Sequence, residues 1–314
     1  MRCLLTSRRA FLKRAAGLAV AGCAPGAWAG SVPEPLPNPV GYATISWPDG
    51  KIEHALDTIS NLGFKGVQML GFVREAYKGA RVDELRDKLK SLQLQPVTLS
   101  CSDVDLKPDD SHDETGQIRS YAAFHQRLGG KYLQVTDGGD PRKSYSAETI
   151  RGLGARMNKM GQIAQDAGLT LGYHPHVGTI GETREGLARV LDATDARYVN
   201  LIADVGHLTL GGADPAEVVR TYHERLILLH FKDVRHDAMD LAKSGGGSVR
   251  RGKYTFCEIG TGAVNFAAII QAFRDTRFAG WIIVELDGYQ RSPGGADSSA
   301  QTNKEAVQKL GFTV

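Results

Sequence analysis

The sequence predicts a single-domain α/β protein, a (β/α)8 TIM barrel. Eight short apolar runs alternate with longer segments of helical period from Gly41 to the C-terminus, the count that a closed barrel needs. An open, doubly wound sheet is the alternative, but no Gly-rich GxGxxG turn follows the first run. Four consecutive runs also finish in histidine or carboxylate, and strand ends are where a barrel carries its chemistry.

In chain order, residues 1–29 precede the barrel. They hold Arg2, Arg8, Arg9, Lys13 and Arg14 and no acid, then an apolar run over 15–22 and an AWA ending at Ala29. That layout is too short to span a membrane and reads as an export signal. The string SRRAFLK, with the Arg8–Arg9 pair followed by Phe11 and Leu12, resembles the twin-arginine signal that exports folded proteins. A basic amphipathic helix is the plainer alternative. VAGC, ending at Cys23, resembles a lipoprotein box, so a lipid anchor at Cys23 competes with cleavage after Ala29. Either route predicts a periplasmic or extracellular protein. The formal charge of +3 becomes −2 once those five basic residues are removed, which argues against a nucleic-acid partner. Residues 30–40 are Pro-rich and read as a linker to the barrel domain, 41–314. Of four cysteines only Cys101 and Cys257 lie outside the signal; they leave a disulfide open and lack metal-motif spacing.

The predicted strands are 41–47 (GYATISW), 66–70 (GVQML), 96–101 (PVTLSC), 131–137 (KYLQVTD), 169–176 (LTLGYHPH), 198–207 (YVNLIADVGH), 226–234 (LILLHFKDV) and 280–287 (GWIIVELD). Helical periodicity marks the segments between them, among them 52–64, 82–94, 147–168, 215–226 and 266–278. Gly or Asn closes several helices just before the next strand, as in QDAGLTL. Residues 242–254 (AKSGGGSVRRGKY) read as one long loop after strand seven.

The strand ends then become a site. Strand four ends at Asp137, strand five at His174 and His176, strand six at Asp204 and His207, strand seven at His230, Lys232 and Asp233, and strand eight at Glu285 and Asp287. Singly, each has a plain reading: His230 as a hydrogen-bonded core residue, Asp204 as a cap, Lys232 as the partner of Asp233. Together they point elsewhere. A buried carboxylate costs several kcal/mol unless paired or metal-bound, and Asp204 and Glu285 both follow apolar runs. A divalent cation held by those two carboxylates and one or two imidazoles meets both costs.

The strings ADVGHLTLGG, LLHFKDV, CEIGTGAVNF and WIIVELD, in this order, resemble the xylose-isomerase-like barrel family, which includes sugar phosphate isomerases, epimerases, inosose dehydratase and endonuclease IV. The resemblance implies a divalent-metal site with Asp204, His230 and Glu285 as ligands, and His207 in contact with substrate. The chain departs from the family at strand five, where His174 stands in place of the isomerases' glutamate. The segment HPHVGT most resembles the inosose-dehydratase branch and related members of the family. His174 is expected as the fourth ligand, with His176 a further ligand or an acid/base group.

The expected chemistry is removal of a proton next to a carbonyl of a keto-sugar or cyclitol, with Glu285 or His176 as base and His207 or Lys232 as donor to an oxygen. One imidazole in place of a carboxylate makes loss of water more credible than a two-base isomerisation. Mixed N/O ligation fits Mn²⁺, Co²⁺, Zn²⁺ or Mg²⁺. Trp47, Asp137 and Glu258 are expected around the substrate, Trp47 either stacked on a sugar or packed into the rim. A non-catalytic sugar- or metal-binding barrel is the rival reading, and a metal-assisted phosphodiesterase fits the charge poorly.

Overall fold

A computed structural model describes residues 35–106, 113–244, 255–287 and 294–314. The expected signal over 1–29, with Cys23, and most of the loop 242–254 lie outside the described residues. Among them no helix is long and apolar enough to cross a membrane.

Eight strands form the barrel: β1 Val40–Ala43, β2 Gly66–Leu70, β3 Gln95–Val104, β4 Tyr132–Asp137, β5 Thr170–Tyr173, β6 Val199–Asp204, β7 Leu226–Phe231 and β8 Trp281–Val284. All neighbouring pairs are parallel, and β8 pairs with β1 to close the ring. The five helices expected from periodicity are present, each a few residues shorter than its pattern, and Glu114–Leu128, Arg184–Asp192 and Gly295–Lys309 complete the outer layer. Their starts follow local chemistry. Asp113, Ser146, Thr183, Asp214 and Asn265 each accept a backbone N–H of the first turn. Gly129, at φ 79°, ends Glu114–Leu128 in the left-handed region that glycine enters without strain.

Several strands stop earlier than their apolar runs. After Ala43 the chain turns into a short 3-10 segment, Thr44–Ser46. β5 ends at Tyr173, because Pro175 has no N–H to extend a ladder; His174 still donates its N–H to Val135 O at 2.8 Å. The run 198–207 breaks at Asp204, whose side chain caps the helix Val205–Leu210. The run 226–234 splits at Lys232, and Asp233–Val234 pairs antiparallel with Phe256–Cys257 beside the barrel mouth.

The two-residue period of a strand decides what faces the barrel axis. Ile202, Leu228 and Ile283 pack with Ala43 and Val97 into a dry apolar floor. Gly172 makes room in that layer, since a Cβ there would stand 2.4 Å from Ile202. Two residues further on, the same inward parity gives Asp204, His230 and Glu285, and from β5 and β2 it gives His174 and Gln68. The mouth of the barrel is therefore polar directly above an apolar floor.

Candidate metal centre and active site

Register brings the polar layer together. Asp204 lies opposite His230 in the β6–β7 pair, and Ile283 opposite His230 in the β7–β8 pair. Glu285 donates its backbone N–H to Phe231 O at 3.0 Å, so it stays on the ladder one step past β8. Ligand atoms of His174, Asp204 and His230 lie within 4.8 Å of one another, as do those of Asp204, His207 and Glu285. All five side chains are buried.

Gln68, inside the apolar run GVQML, organises two of them. Its Nε2 donates to Glu285 Oε2 at 2.8 Å, and its Oε1 stands 2.6 Å from His230 Nε2. A carboxylate only accepts, so the amide has one workable orientation, and Oε1 must then accept from His230 Nε2–H. That leaves His230 Nδ1 with its lone pair, 3.6 Å from Asp204 Oδ2 and 3.8 Å from Glu285 Oε2. Neither His230 Nδ1 nor Asp204 Oδ2 has a hydrogen-bond partner among the described residues, although the Lys232 ammonium stands 3.4 Å from Asp204 Oδ2 as an ion pair. The other oxygen of Asp204 is taken, accepting the His207 N–H at 2.9 Å. His174 Nδ1 lies 3.3 Å from Ile202 O and so donates, which leaves Nε2 as its free lone pair. Lone pairs converging on one buried point repel each other unless a cation lies between them. The donor set, two imidazoles and two carboxylates with their outer hydrogen bonds already made, fits a divalent ion.

Electrostatics agree with that geometry. Burial pushes His174 down to about 3, with His230 beside it adding to the effect, so His174 stays neutral as a ligand must. Burial would raise Glu285, but the Lys232 ammonium outweighs it and holds the carboxyl down at about 2. Asp204 is likewise held well below the usual carboxylate range by the Lys232 ammonium against the cost of burial. Burial opposes the charge on Lys232, yet Asp204, Asp287 and Glu285 together keep it well above the ordinary lysine value.

The surrounding residues fall into two groups. His176 is half-buried; its Nδ1 donates to Val177 O at 2.8 Å, and its ring lies 3.7 Å from that of His207. Its Nε2 is therefore a free lone pair. His207 Nε2 accepts from Lys232 at 3.2 Å, leaving Nδ1–H as a buried donor with no partner among the described residues. Lys232 does not pair with Asp233, the plain alternative for that residue taken singly, but with Glu285 at 2.5 Å and Asp287 at 3.0 Å. Its N–H donors are engaged within the protein, which places it as a buried counter-ion in place of the expected donor to an oxygen. Asp233 instead accepts four backbone N–H groups, from Val234, Gly260, Gly262 and Val264.

The three residues expected around the substrate each have hydrogen-bond partners within the protein. Asp137 accepts from the Tyr173 hydroxyl at 2.6 Å and from the N–H groups of Gly139, Ile180 and Gly181, fastening the loop that carries His174 and His176. Trp47 is buried edge-on to Tyr42 and donates Nε1 to Asp297 at 2.7 Å, which is the rim-packing alternative. Glu258 accepts from Ser299 Oγ at 2.8 Å on the last helix. Cys101 and Cys257 are both free thiols, so the disulfide left open by the sequence is not formed. The residue that sequence reasoning missed is Gln68. Its signal was available: a lone amide at the inward-facing position of an otherwise apolar strand.

Comparisons with known proteins follow the same lines. The family model for the xylose isomerase-like TIM barrel matches residues 56–310. An inosose dehydratase of Geobacillus kaustophilus is 28% identical over 87% of this chain and 95% of its own, and one from Clostridium botulinum 27% over 79% and 88%. Among solved structures, an IOLI protein with a bound zinc atom superposes with TM-score 0.68 at 17% identity, covering 87% of this chain and 97% of that one. The 3-keto-D-glucoside 4-epimerase of E. coli superposes with TM-score 0.66 at 17% identity, over 87% and 98%. With the barrel closed as β1–β8 and the family model spanning most of it, this chain belongs to the xylose isomerase-like TIM barrel family.

Proposed function

We propose that this protein is an exported, metal-dependent carbohydrate enzyme that takes a proton from the carbon next to a carbonyl of an unphosphorylated keto-sugar or cyclitol and expels a neighbouring hydroxyl as water. The observation that carries the reading is the orphaned His230 Nδ1 lone pair beside ligand atoms of Asp204 and His174, with Glu285 next to it, at the mouth of the barrel. His174 Nε2, Asp204 Oδ2, His230 Nδ1 and Glu285 would hold one divalent ion. Zn²⁺, Co²⁺ or Mn²⁺ suits the two imidazoles better than Mg²⁺ does. When bound, such an ion supplies Lewis-acid charge to a carbonyl oxygen.

The chain's own residues supply the rest. His176 Nε2 has a free lone pair and a ring fixed by the Val177 carbonyl, so it is the base. Glu285 is the weaker candidate, since Gln68 and Lys232 hold its oxygens and keep it ionised. The proton taken by His176 is the one the departing hydroxyl needs, so one imidazole balances an elimination: a C–H and a C–O bond break, a C=C forms, and water leaves. His207 Nδ1–H is placed to hydrogen-bond a substrate oxygen. The dehydratase names of the curated relatives support elimination over epimerisation, which would need a second base on the opposite face of the carbon. Export rests on the twin-arginine string alone and is tested by fractionating cells that express Arg8→Lys/Arg9→Lys.

The test is elemental analysis of the wild type beside Asp204→Ala, followed by incubation with inosose in deuterated water. About one ion per chain, lost in the variant, with deuterium incorporation or dehydrated product, is the expected result. No metal in either protein overturns the reading.

A further inference from the structure

The ligand set above accounts for one ion, yet Asp204, His207 and Glu285 form a second group with ligand atoms within 4.8 Å of one another. The ammonium of Lys232 fills that group. Its Nζ lies 2.5 Å from Glu285 Oε1, 3.0 Å from Asp287 Oδ2, 3.2 Å from His207 Nε2 and 3.4 Å from Asp204 Oδ2. Three carboxylates and an imidazole nitrogen around one cation is the donor set of a divalent metal. The side chain is fully buried and held from both sides. The Phe256 ring lies 4.6 Å from Nζ, and the Gly206 backbone is so close that a Cβ there would meet the Lys232 stem at 3.1 Å.

We propose that Lys232 is a built-in cation standing in the place of a second metal ion, and that it limits the centre to one ion. Without the ammonium, Glu285 Oε1, Asp287 Oδ2 and His207 Nε2 would be open to a second ion, with Asp204 Oδ2 shared between the two. Metal–ligand bonds of about 2.0–2.2 Å are shorter than the present contacts, so the four groups must close in by up to about 1.4 Å. The result is a two-ion site of the carboxylate-bridged type. The inference rests on the one-ion reading above.

The experiment counts ions on the full chain, by elemental analysis and by Mn²⁺ titration followed by electron paramagnetic resonance. Wild type should saturate at one ion. Lys232→Ala should saturate at two, with a spin-coupled spectrum, and Lys232→Ala/Asp287→Asn should return to one or bind the second at least tenfold more weakly. One ion in both wild type and Lys232→Ala overturns this inference and leaves the one-ion reading standing. Two ions in the wild type also overturns it, because the lysine then excludes nothing. No ion in the wild type removes the reading on which it rests. If metal-free Lys232→Ala is unfolded, two equivalents of Mn²⁺ should restore the wild-type circular dichroism; failure to do so overturns the inference.

Discussion

Replacing Gln68 with leucine tests whether the centre depends on an amide that never touches the ion. Side-chain volume is nearly conserved, but two hydrogen bonds disappear, at 2.6 Å to His230 and 2.8 Å to Glu285. A hydrogen bond to a charged partner is worth about 1.5–3 kcal/mol and a neutral one about 1 kcal/mol. The pair therefore restrains the two ligands by about 3–4 kcal/mol at most. Some of that returns as Glu285 turns further toward Lys232. Partners one step behind a ligand typically cost 10–100-fold in affinity, about 1.4–2.7 kcal/mol. The expected result is a ten- to hundredfold weaker Zn²⁺ affinity, read by competition with a chromophoric chelator, at unchanged stoichiometry. The metal-free variant should also lose its fixed His230 tautomer, which ¹⁵N NMR of the imidazole reports. Affinity within twofold of wild type, with the fold intact, would refute the argument; complete loss of metal would make Gln68 a ligand.

Other outcomes follow from the same geometry. His176→Ala should keep its metal and lose turnover by about 10²–10⁴-fold; loss of the ion instead would make His176 a ligand. His230→Ala should abolish metal retention, whereas Glu285→Gln should keep part of it with turnover lost, both read by elemental analysis beside an activity assay. Asp137→Ala strips the Tyr173 hydroxyl and three backbone N–H groups of their acceptor and should cost about 3–5 kcal/mol in urea unfolding; a loss below about 1 kcal/mol contradicts the fastening role. His125 is fully buried, and burial lowers it from 6.5 to about 4, only partly offset by the Val97 carbonyl. The unfolded chain thus binds a proton that the folded one refuses. Its contribution is complete above pH 6.5 and is lost as pH falls to about 4, up to about 3 kcal/mol. His125→Leu should flatten the pH dependence of Tm in that window, and an unchanged slope would contradict this.

The barrel was legible because alternation of apolar runs and helical segments is a property of every element, repeated eight times. The converging strand ends were legible for the same reason: inward parity and strand ends are both readable from a two-residue period. What the sequence hid was pairing across the barrel. Lys232 sits next to Asp233 in the chain, but alternate residues point to opposite sides, so Lys232 meets Glu285 and Asp287 while Asp233 binds a loop. Asp137 ends a strand like the others, yet its oxygens face backbone N–H groups of the neighbouring loop, and backbone donors leave no trace in residue types. Gln68 stands out within GVQML as a lone amide, but its partners lie 162 and 217 residues away, so its role is not readable from the local string.

That last distance has a consequence for assembly. The hydrogen bond from Gln68 on β2 to Glu285 beyond β8 spans the seam where the first and last strands meet. The proposed ligands lie on or just past β5, β6, β7 and β8, so no N-terminal fragment carries the whole centre. A chain emerging from the ribosome lacks Glu285 until synthesis is nearly done, and it lacks the Gln68 clasp until the ring has closed. On the proposed one-ion reading, ion capture by the complete centre would report a finished, ring-closed chain, and a truncated or unclosed one would stay without its ion.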